Sequence, residues 1–219
     1  MDGPEHRDRN GPTVMTSGPA VLVTLTGGAG AGKTTLARAL ADTVVHLDDF
    51  YHCADSGRGV WIPDENGTPR LDVGDPRSID FVGLNAAVDK ALTDSAVVVV
   101  EGLFAIDVRP SEPCQRLDVF VDLAADLRLA RKIHRKCVVG DFPVAVLLAN
   151  YVDHRRAAHE RHVEPARERC DLVVDGLLPV DQLRRAIDEL SPHNRGDLGA
   201  RGDAELVEDV AHVHGRRLG

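Results

Sequence analysis

Aromatic side chains are scarce in this chain, only 4% of its residues, so Trp61, Tyr51, Tyr151 and the few phenylalanines are informative wherever they fall near a site. Positive charge is also short. With 26 basic against 35 acidic residues the formal net charge is −9, which offers no basic face to nucleic acid or anionic lipid and points to small-molecule ligands. The four cysteines, Cys53, Cys114, Cys137 and Cys170, show no C-x-x-C spacing. That argues against a zinc knuckle or disulfide frame and for reduced thiols. No apolar run approaches the roughly 18 residues of a membrane span, and Met1 to Arg7 lacks the apolar core of a signal peptide. A cytoplasmic protein without membrane or nucleic-acid partners is the expectation. Internal repeats are absent, and 219 residues suit one sizeable α/β domain rather than two.

Against these absences stands one dense motif, Gly27-Gly28-Ala29-Gly30-Ala31-Gly32-Lys33-Thr34-Thr35. It matches G-x-x-x-x-G-K-[ST], and its flanks fit: Val21 to Leu25 is a short buried-strand pattern, and Leu36 to Leu40 begins a helix. Glycines let the backbone fold round a polyphosphate so that N–H groups and the helix N-terminus point at negative charge. In that reading Lys33 reaches the β- and γ-phosphates of a nucleotide and the Thr34 hydroxyl binds Mg²⁺. A flexible Gly/Ala loop that happens to hold a lysine is the plainer alternative, and the strand and helix on either side weigh against it.

Residues 1 to about 19 lack any apolar period and are expected to be a disordered lead. Thr43 to Leu47 reads as a second strand that ends in Asp48-Asp49-Phe50-Tyr51. In open parallel sheets ligands gather beyond the carboxyl ends of strands, so these acids face the same crevice as the phosphate loop. His52 to Pro76 is polar, rich in Gly, Pro and Asp, and reads as a long loop around Trp61, of a length that is functional or disordered. Ser78 to Leu92 carries a helical period, with Ser78 as an N-cap, and Ser95 to Val100 is a buried parallel strand ending in Glu101. Leu117 to Leu123 predicts another strand, Asp126 to about Val139 a helix, and Val144 to Arg169 a second helix interrupted at Pro165. Asp171 to Val174 is a last strand and Val180 to Leu190 a closing helix. The alternation, opened by the phosphate loop, predicts an α/β P-loop kinase fold, a doubly wound parallel sheet with helices on both faces over 20–190, in which a helical lid would occupy about 126–150. Residues 191–219 revert to Gly, Asp, Arg and His and predict a flexible tail, with a turn or two of helix near Leu206 to Val213 as the alternative.

Phosphoryl transfer needs Mg²⁺, positive charge on the moving group, and an acceptor held in line beside a base. Asp48 is the candidate base, able also to hold metal-bound water, while Asp49 reads as a loop cap. Glu101 is placed like a Walker-B acid, orienting Mg²⁺. Arg128, Arg131, Lys132, Arg135 and Lys136 form two rows at i,i+4 spacing. These suit either a solvated helix face or a lid closing over the transferred phosphate. His154, His159 and His162 share a helix but lack H-E-x-x-H spacing and are read as a polar surface. Trp61 is a loop anchor or a platform for a flat substrate.

Several segments in order resemble the uridine kinase family of P-loop kinases, from about Val21 to Gly176. Asp48-Asp49-Phe50-Tyr51 is similar to its D-x-[FY]-Y, Asp75 to Asp80 to its D-x-P-x-x-[FI]-D, and Glu101-Gly102-Leu103-Phe104 to its E-G-[IL]-[LF]. Phe120 to Asp122 and Asp126 to Arg135 resemble the strand and lid helix, and His159 to Pro165 with Cys170 to Val174 the closing motif. The resemblance implies ATP as donor, Mg²⁺, a nucleoside 5′-hydroxyl of uridine or cytidine as acceptor, and Asp48 as base. It also implies Tyr51, Asp75 and Arg77 near the substrate and Lys132 and Arg135 as lid cations. Three places depart from the family. Gly74 stands where relatives carry an acid for the ribose hydroxyls. No base-reading hairpin fits between Phe81 and Glu101, and Val139-Gly140-Asp141-Phe142 replaces the lid's E-R-G-R.

An ATP-dependent kinase for a small hydroxylated acceptor is therefore the expectation, with a different metabolite or a non-catalytic ATP-binding regulator as alternatives. A GTPase switch lacks its N-K-x-D motif. A homo-oligomer is left open.

Overall fold

The computed structural model describes residues 18–64, 66–191 and 211–213. Its main sheet has the order β2-β5-β1-β6-β7-β8, with β1 (Ala20–Thr26) at the centre. β2 (Val44–His46), β5 (Val97–Gly102), β6 (Cys114–Asp122) and β7 (Leu172–Asp175) all run parallel to it through the ladder. Alternate residues of the strands feed two cores, because successive side chains leave opposite faces. Leu22, Val98, Val100, Phe120 and Val173 pack under α2 (Phe81–Asp94) through Leu84, Val88 and Leu92. Val21, Val23, Leu25, Val99 and Val119 pack on the other face, against Leu36 of α1 (Lys33–Leu40) and Leu183 and Ile187 of α6 (Val180–Leu190). A sheet covered on both faces in this way is doubly wound, and it explains why the strands read as unbroken aliphatic runs. Burying such residues contributes about 1.5 to 3 kcal/mol each.

The chain leaves β1 toward β2 on one side and later reaches β6 on the other, so the order reverses beside β1 and a crevice opens at the carboxyl ends of the strands. All the acids singled out at strand ends fall there. Thr26 tightens that rim, its hydroxyl accepting from the Ile106 N–H at 2.9 Å.

Several elements differ from the sequence expectation, each for a physical reason. The polar stretch from His52 to Pro76 is not one loop. β3 (Trp61–Pro63) and β4 (Pro69–Leu71) pair antiparallel as a hairpin. Its tip is closed by the Asp64 carboxylate, which accepts from the Asn66 and Thr68 N–H groups at 2.8 Å each. Alternation is hidden there by the prolines and by the short strands. α2 begins at Phe81 and is capped by Asp80, whose side chain accepts from the Gly83 N–H. Ser78 belongs instead to the preceding 3₁₀ turn, and its hydroxyl accepts from the Val60 N–H.

α3 (Ala125–Ile133) runs on through a π-helical turn over His134–Val138. The helix expected over Val144 to Arg169 is a string of pieces: α4 (Val144–Asn150), a π-turn over Tyr151–Arg155, α5 (Arg156–Ala158), and a second π-turn over His159–Val163. A 3₁₀ turn then carries Pro165. Extra residues in π-turns rotate successive side chains off a single face, which sends the basic residues of this segment in several directions.

Residues 1–17 of the expected lead, and 192–210 and 214–219 of the expected tail, lie outside the described residues. The tail expectation is corrected at one point: residues 211–213 form β8 (Ala211–Val213), antiparallel to β7 and not helical. No helix among the described residues is long and apolar enough to cross a membrane.

Candidate functional site

At the carboxyl edge of the sheet a cleft of about 770 Å³ is lined by Ala29 to Thr35 of the phosphate loop together with Asp48, Tyr51, Glu101, Arg131 and Arg135. The loop reaches its shape through glycine. Gly30 has φ +94°, and a Cβ there would meet the Arg128 carbonyl oxygen at 2.7 Å. Gly27 and Gly28 lie beneath: their carbonyl oxygens accept from Lys33 Nζ at 2.8 and 3.0 Å. Burial lowers the Lys33 pKa to about 8, against the opposing pull of Glu101 and Asp48. The ammonium is thus buried at the base of the loop, held by two backbone carbonyls.

Thr34 and Glu101 come together as well. The Thr34 hydroxyl donates to Glu101 Oε1 at 2.9 Å, and His46 Nδ1 meets the same oxygen at 2.8 Å. His46 ends β2 directly opposite Glu101 in the ladder. Sequence reasoning missed His46, because its only signal is that strand register. Among the described residues no group of three or more His, Cys, Asp or Glu is placed to hold a metal. A hydroxyl and a carboxylate in contact are hard oxygen donors of the kind Mg²⁺ takes when nucleotide phosphates and water complete its shell.

Asp48 follows β2 in a 3₁₀ turn over Leu47–Phe50, with Leu47 buried beneath it. Burial raises its pKa, and the Glu101 charge adds to the rise while Lys33 opposes it. The carboxylate still opens on the cleft. Tyr51 donates from its hydroxyl to the Val73 carbonyl at 2.9 Å. Its pKa is pushed up, mainly by burial and then by Asp48, so it stays a neutral phenol.

The two rows of cations on α3 serve different spaces. Arg131 and Arg135 line the cleft, and Arg131 also donates to the Gly176 carbonyl at 3.3 Å. Lys132, expected beside Arg135 over the phosphates, instead lines an adjoining chamber of about 520 Å³, to which Arg128, Arg155 and His159 also contribute. Ala29, Val73 and Leu103 border both spaces. Arg131 and Lys132 are adjacent in sequence and so point about 100° apart on the helix, and each is joined in its space by a residue four positions away, Arg135 in the cleft and Arg128 in the chamber.

Other predicted substrate residues are not brought in. Asp75 and Arg77 satisfy each other, with Arg77 Nε and a terminal nitrogen donating at 3.0 and 2.8 Å, and they line neither space. Arg77 holds the Asp75 carboxyl below the usual range, and the carboxylate also accepts from the Arg77 N–H to cap a turn. Trp61 lies on the hairpin opposite Leu71, its indole N–H donating to the Arg58 carbonyl at 3.0 Å. It anchors the hairpin, and it too lines neither space. His159, read as polar surface, is half-buried: its ring meets the Arg128 guanidinium at 3.0 Å and Glu164 at 3.2 Å. Burial, and then Arg128, lower its pKa.

The model of one protein family, described as phosphoribulokinase / uridine kinase, matches residues 73–182. The chain is 25% identical over 181 residues to a uridine kinase of Chlamydia pneumoniae, covering 71% of this chain and 82% of that one. It is 24% identical over 186 residues to a uridine kinase of Halobacterium salinarum, covering 71% and 80%. A solved sugar kinase from Janibacter sp. aligns at TM-score 0.49 and 23% identity, covering 78% of this chain and 94% of that one. With the family's sequence pattern running through half of its length, this chain belongs to the phosphoribulokinase / uridine kinase family.

Proposed function

We propose that the protein is a kinase that transfers the γ-phosphoryl group of ATP to a hydroxyl of a small molecule. The observation that carries this reading is the convergence of Lys33, Thr34, Asp48, Glu101, Arg131 and Arg135 on one cleft. Family membership implies ATP use. The loop N–H groups and Lys33 hold the phosphates, and Thr34 with Glu101 would hold Mg²⁺, whose charge helps neutralise the phosphates. His46 fixes the Glu101 carboxylate toward Thr34.

Asp48 accepts the proton of the acceptor hydroxyl as that oxygen attacks. A carboxylate whose pKa is raised by burial is a better base near neutral pH than a free one, since its proton affinity approaches the working range. Arg131 and Arg135 place positive charge over the equatorial oxygens, where charge develops in transfer. A helical lid over about 126–150 carries both arginines, within a kinase domain over 20–190 and a cytoplasmic protein. A non-catalytic ATP-binding regulator would have no use for Asp48 in this cleft.

Kinship with enzymes named uridine kinase makes the 5′-hydroxyl of uridine or cytidine the nominal acceptor. The Gly74 site favours a second reading, a different hydroxylated metabolite. A Cβ at Gly74 would meet the Ala158 Cβ at 2.7 Å, an Asp72 carboxylate oxygen at 3.2 Å and an Arg155 nitrogen at 3.3 Å, so an acidic side chain does not fit at position 74 itself.

The test is a panel of nucleosides, sugars, sugar acids and vitamins with Mg-ATP and mass detection of product. Transfer by the wild type that Lys33→Ala abolishes is expected. No phosphorylated product from any acceptor, with wild type and Lys33→Ala indistinguishable, sinks the kinase reading.

A further inference from the structure

The chamber beside the phosphate cleft has a chemistry of its own. Its walls are apolar at Val73, Leu103, Leu129 and Val163, while Arg128, Lys132, Arg155 and Arg156 bring positive charge to it. A volume of about 520 Å³ is the size that small-molecule sites take. Three of the four cations are already engaged. Arg155 donates to Asp72 at 2.6 Å, and Arg156 to Glu160 at 3.1 Å. Arg128 donates to the Leu123 carbonyl at 2.8 Å and faces the ring of His159.

Lys132 is different. It is partly buried, yet it has no hydrogen-bond or ion-pair partner among the described residues. Burial lowers its pKa, and so do the charges that act on it most, Arg155, Arg135 and Lys136, all of them cations. The chamber's acids do not relieve it: Glu160 belongs to Arg156, and Asp126 sits in the first turn of α3, where the helix N-terminus favours negative charge. An ammonium left half-desolvated among like charges is costly to the fold, and it becomes favourable when an anion arrives. Around Gly74 the space is taken by Ala158 and by the Asp72 carboxylate paired with Arg155, so that acid too is already committed and leaves Lys132 unmatched.

We propose that this chamber receives the phosphoryl acceptor through an anionic group, a carboxylate or a phosphate, which Lys132 meets. The inference rests on the kinase reading above and names the class of acceptor for it: a small hydroxylated anion, not a neutral nucleoside. Its hydroxyl would reach the cleft across the seam of Ala29, Val73 and Leu103 that both spaces share.

The experiment measures kcat/KM with Mg-ATP for two matched pairs, D-gluconate against D-glucose and ribose 5-phosphate against ribose, with uridine alongside. In at least one pair the anion is expected to be favoured by about tenfold or more, as one charge-assisted contact provides. Which pair responds separates carboxylate from phosphate. Lys132→Ala should reduce that preference about tenfold, and Lys132→Arg, which keeps the charge, should retain most of it. Equal or better use of the neutral members or of uridine overturns the proposal, as does a preference that Lys132→Ala leaves unmoved. Binding of a fluorescent ATP analogue separates the two readings, since its loss in the wild type sinks the kinase reading. If the analogue binds while neither turnover nor calorimetry on the analogue-loaded protein shows an anion preference, this proposal alone falls.

Discussion

The Thr34 hydroxyl and the Glu101 carboxylate are in contact at 2.9 Å, although 67 residues separate them, and His46 holds the same oxygen from the other side. Groups joined in this way act as a unit, so their substitutions should not add. Thr34→Ala and Glu101→Gln should each raise the Mg²⁺ concentration needed for half-maximal transfer, and the double variant should be little worse than the worse single. His46→Ala should cost about 10- to 100-fold in Mg²⁺ affinity or activity, the range for residues that orient a metal ligand. Titration of activity against free Mg²⁺ checks all three, and additive losses would show that the contact is incidental.

Lys33 makes stability depend on pH in a stated direction. Its pKa is about 8 in the fold against 10.5 in the unfolded chain, so between those values the unfolded state binds more protons. Stability should therefore rise as pH goes from about 8 to 10.5 and be lowest below pH 8, by roughly 1 to 3 kcal/mol. Lys33→Met should flatten this component while abolishing transfer. Urea unfolding of both proteins at pH 7 and pH 10 gives the difference directly.

Asp48→Asn should lower kcat by about 10²- to 10⁴-fold, the usual worth of a positioned base. ATP affinity should hold or tighten severalfold, because one negative charge beside the phosphates is gone. The raised pKa of Asp48 sets the sign of its pH effect: the wild-type rate should fall as the carboxylate is protonated, at a pH above the ordinary value of 3.8. The pH profile of kcat/KM should lose that acid limb in the variant.

Gly74→Asp, which restores the acid found in the family pattern, should destabilise the protein instead of improving nucleoside use. Overpacking against the Ala158 Cβ, which lies 2.7 Å from the position of a Cβ at Gly74, should cost about 1 to 3 kcal/mol. Ala158→Gly should recover part of the loss. Thermal unfolding of the single and double variants measures both effects.

Much of this molecule was legible along the chain. Val21 to Leu25, the glycine loop and Leu36 to Leu40 form one contiguous strand–loop–helix, so local spacing is enough to place this rim of the cleft. Asp48 and Glu101 were legible for a related reason, since a parallel sheet delivers the end of every strand to one edge. The hairpin at Trp61–Leu71 was not, because two three-residue strands carry too little alternation to announce themselves.

What the sequence by itself determined is therefore one rim of the cleft: a glycine loop, opened by a strand and closed by a helix, with acids at the neighbouring strand ends. Contiguous patterns suffice there because each element forms on its own residues. Tertiary structure decided which groups meet across distance. It joined His46 and Thr34 at Glu101, drew Asp75 and Arg77 away into a pair of their own, and turned Arg135 to the cleft and Lys132 to the chamber. It also fixed glycine at position 74 by packing Ala158 against it. Such meetings depend on how helices and strands pack, on register, and on the π-turns that rotate one helix face away from the next, and none of these is written in a local spacing.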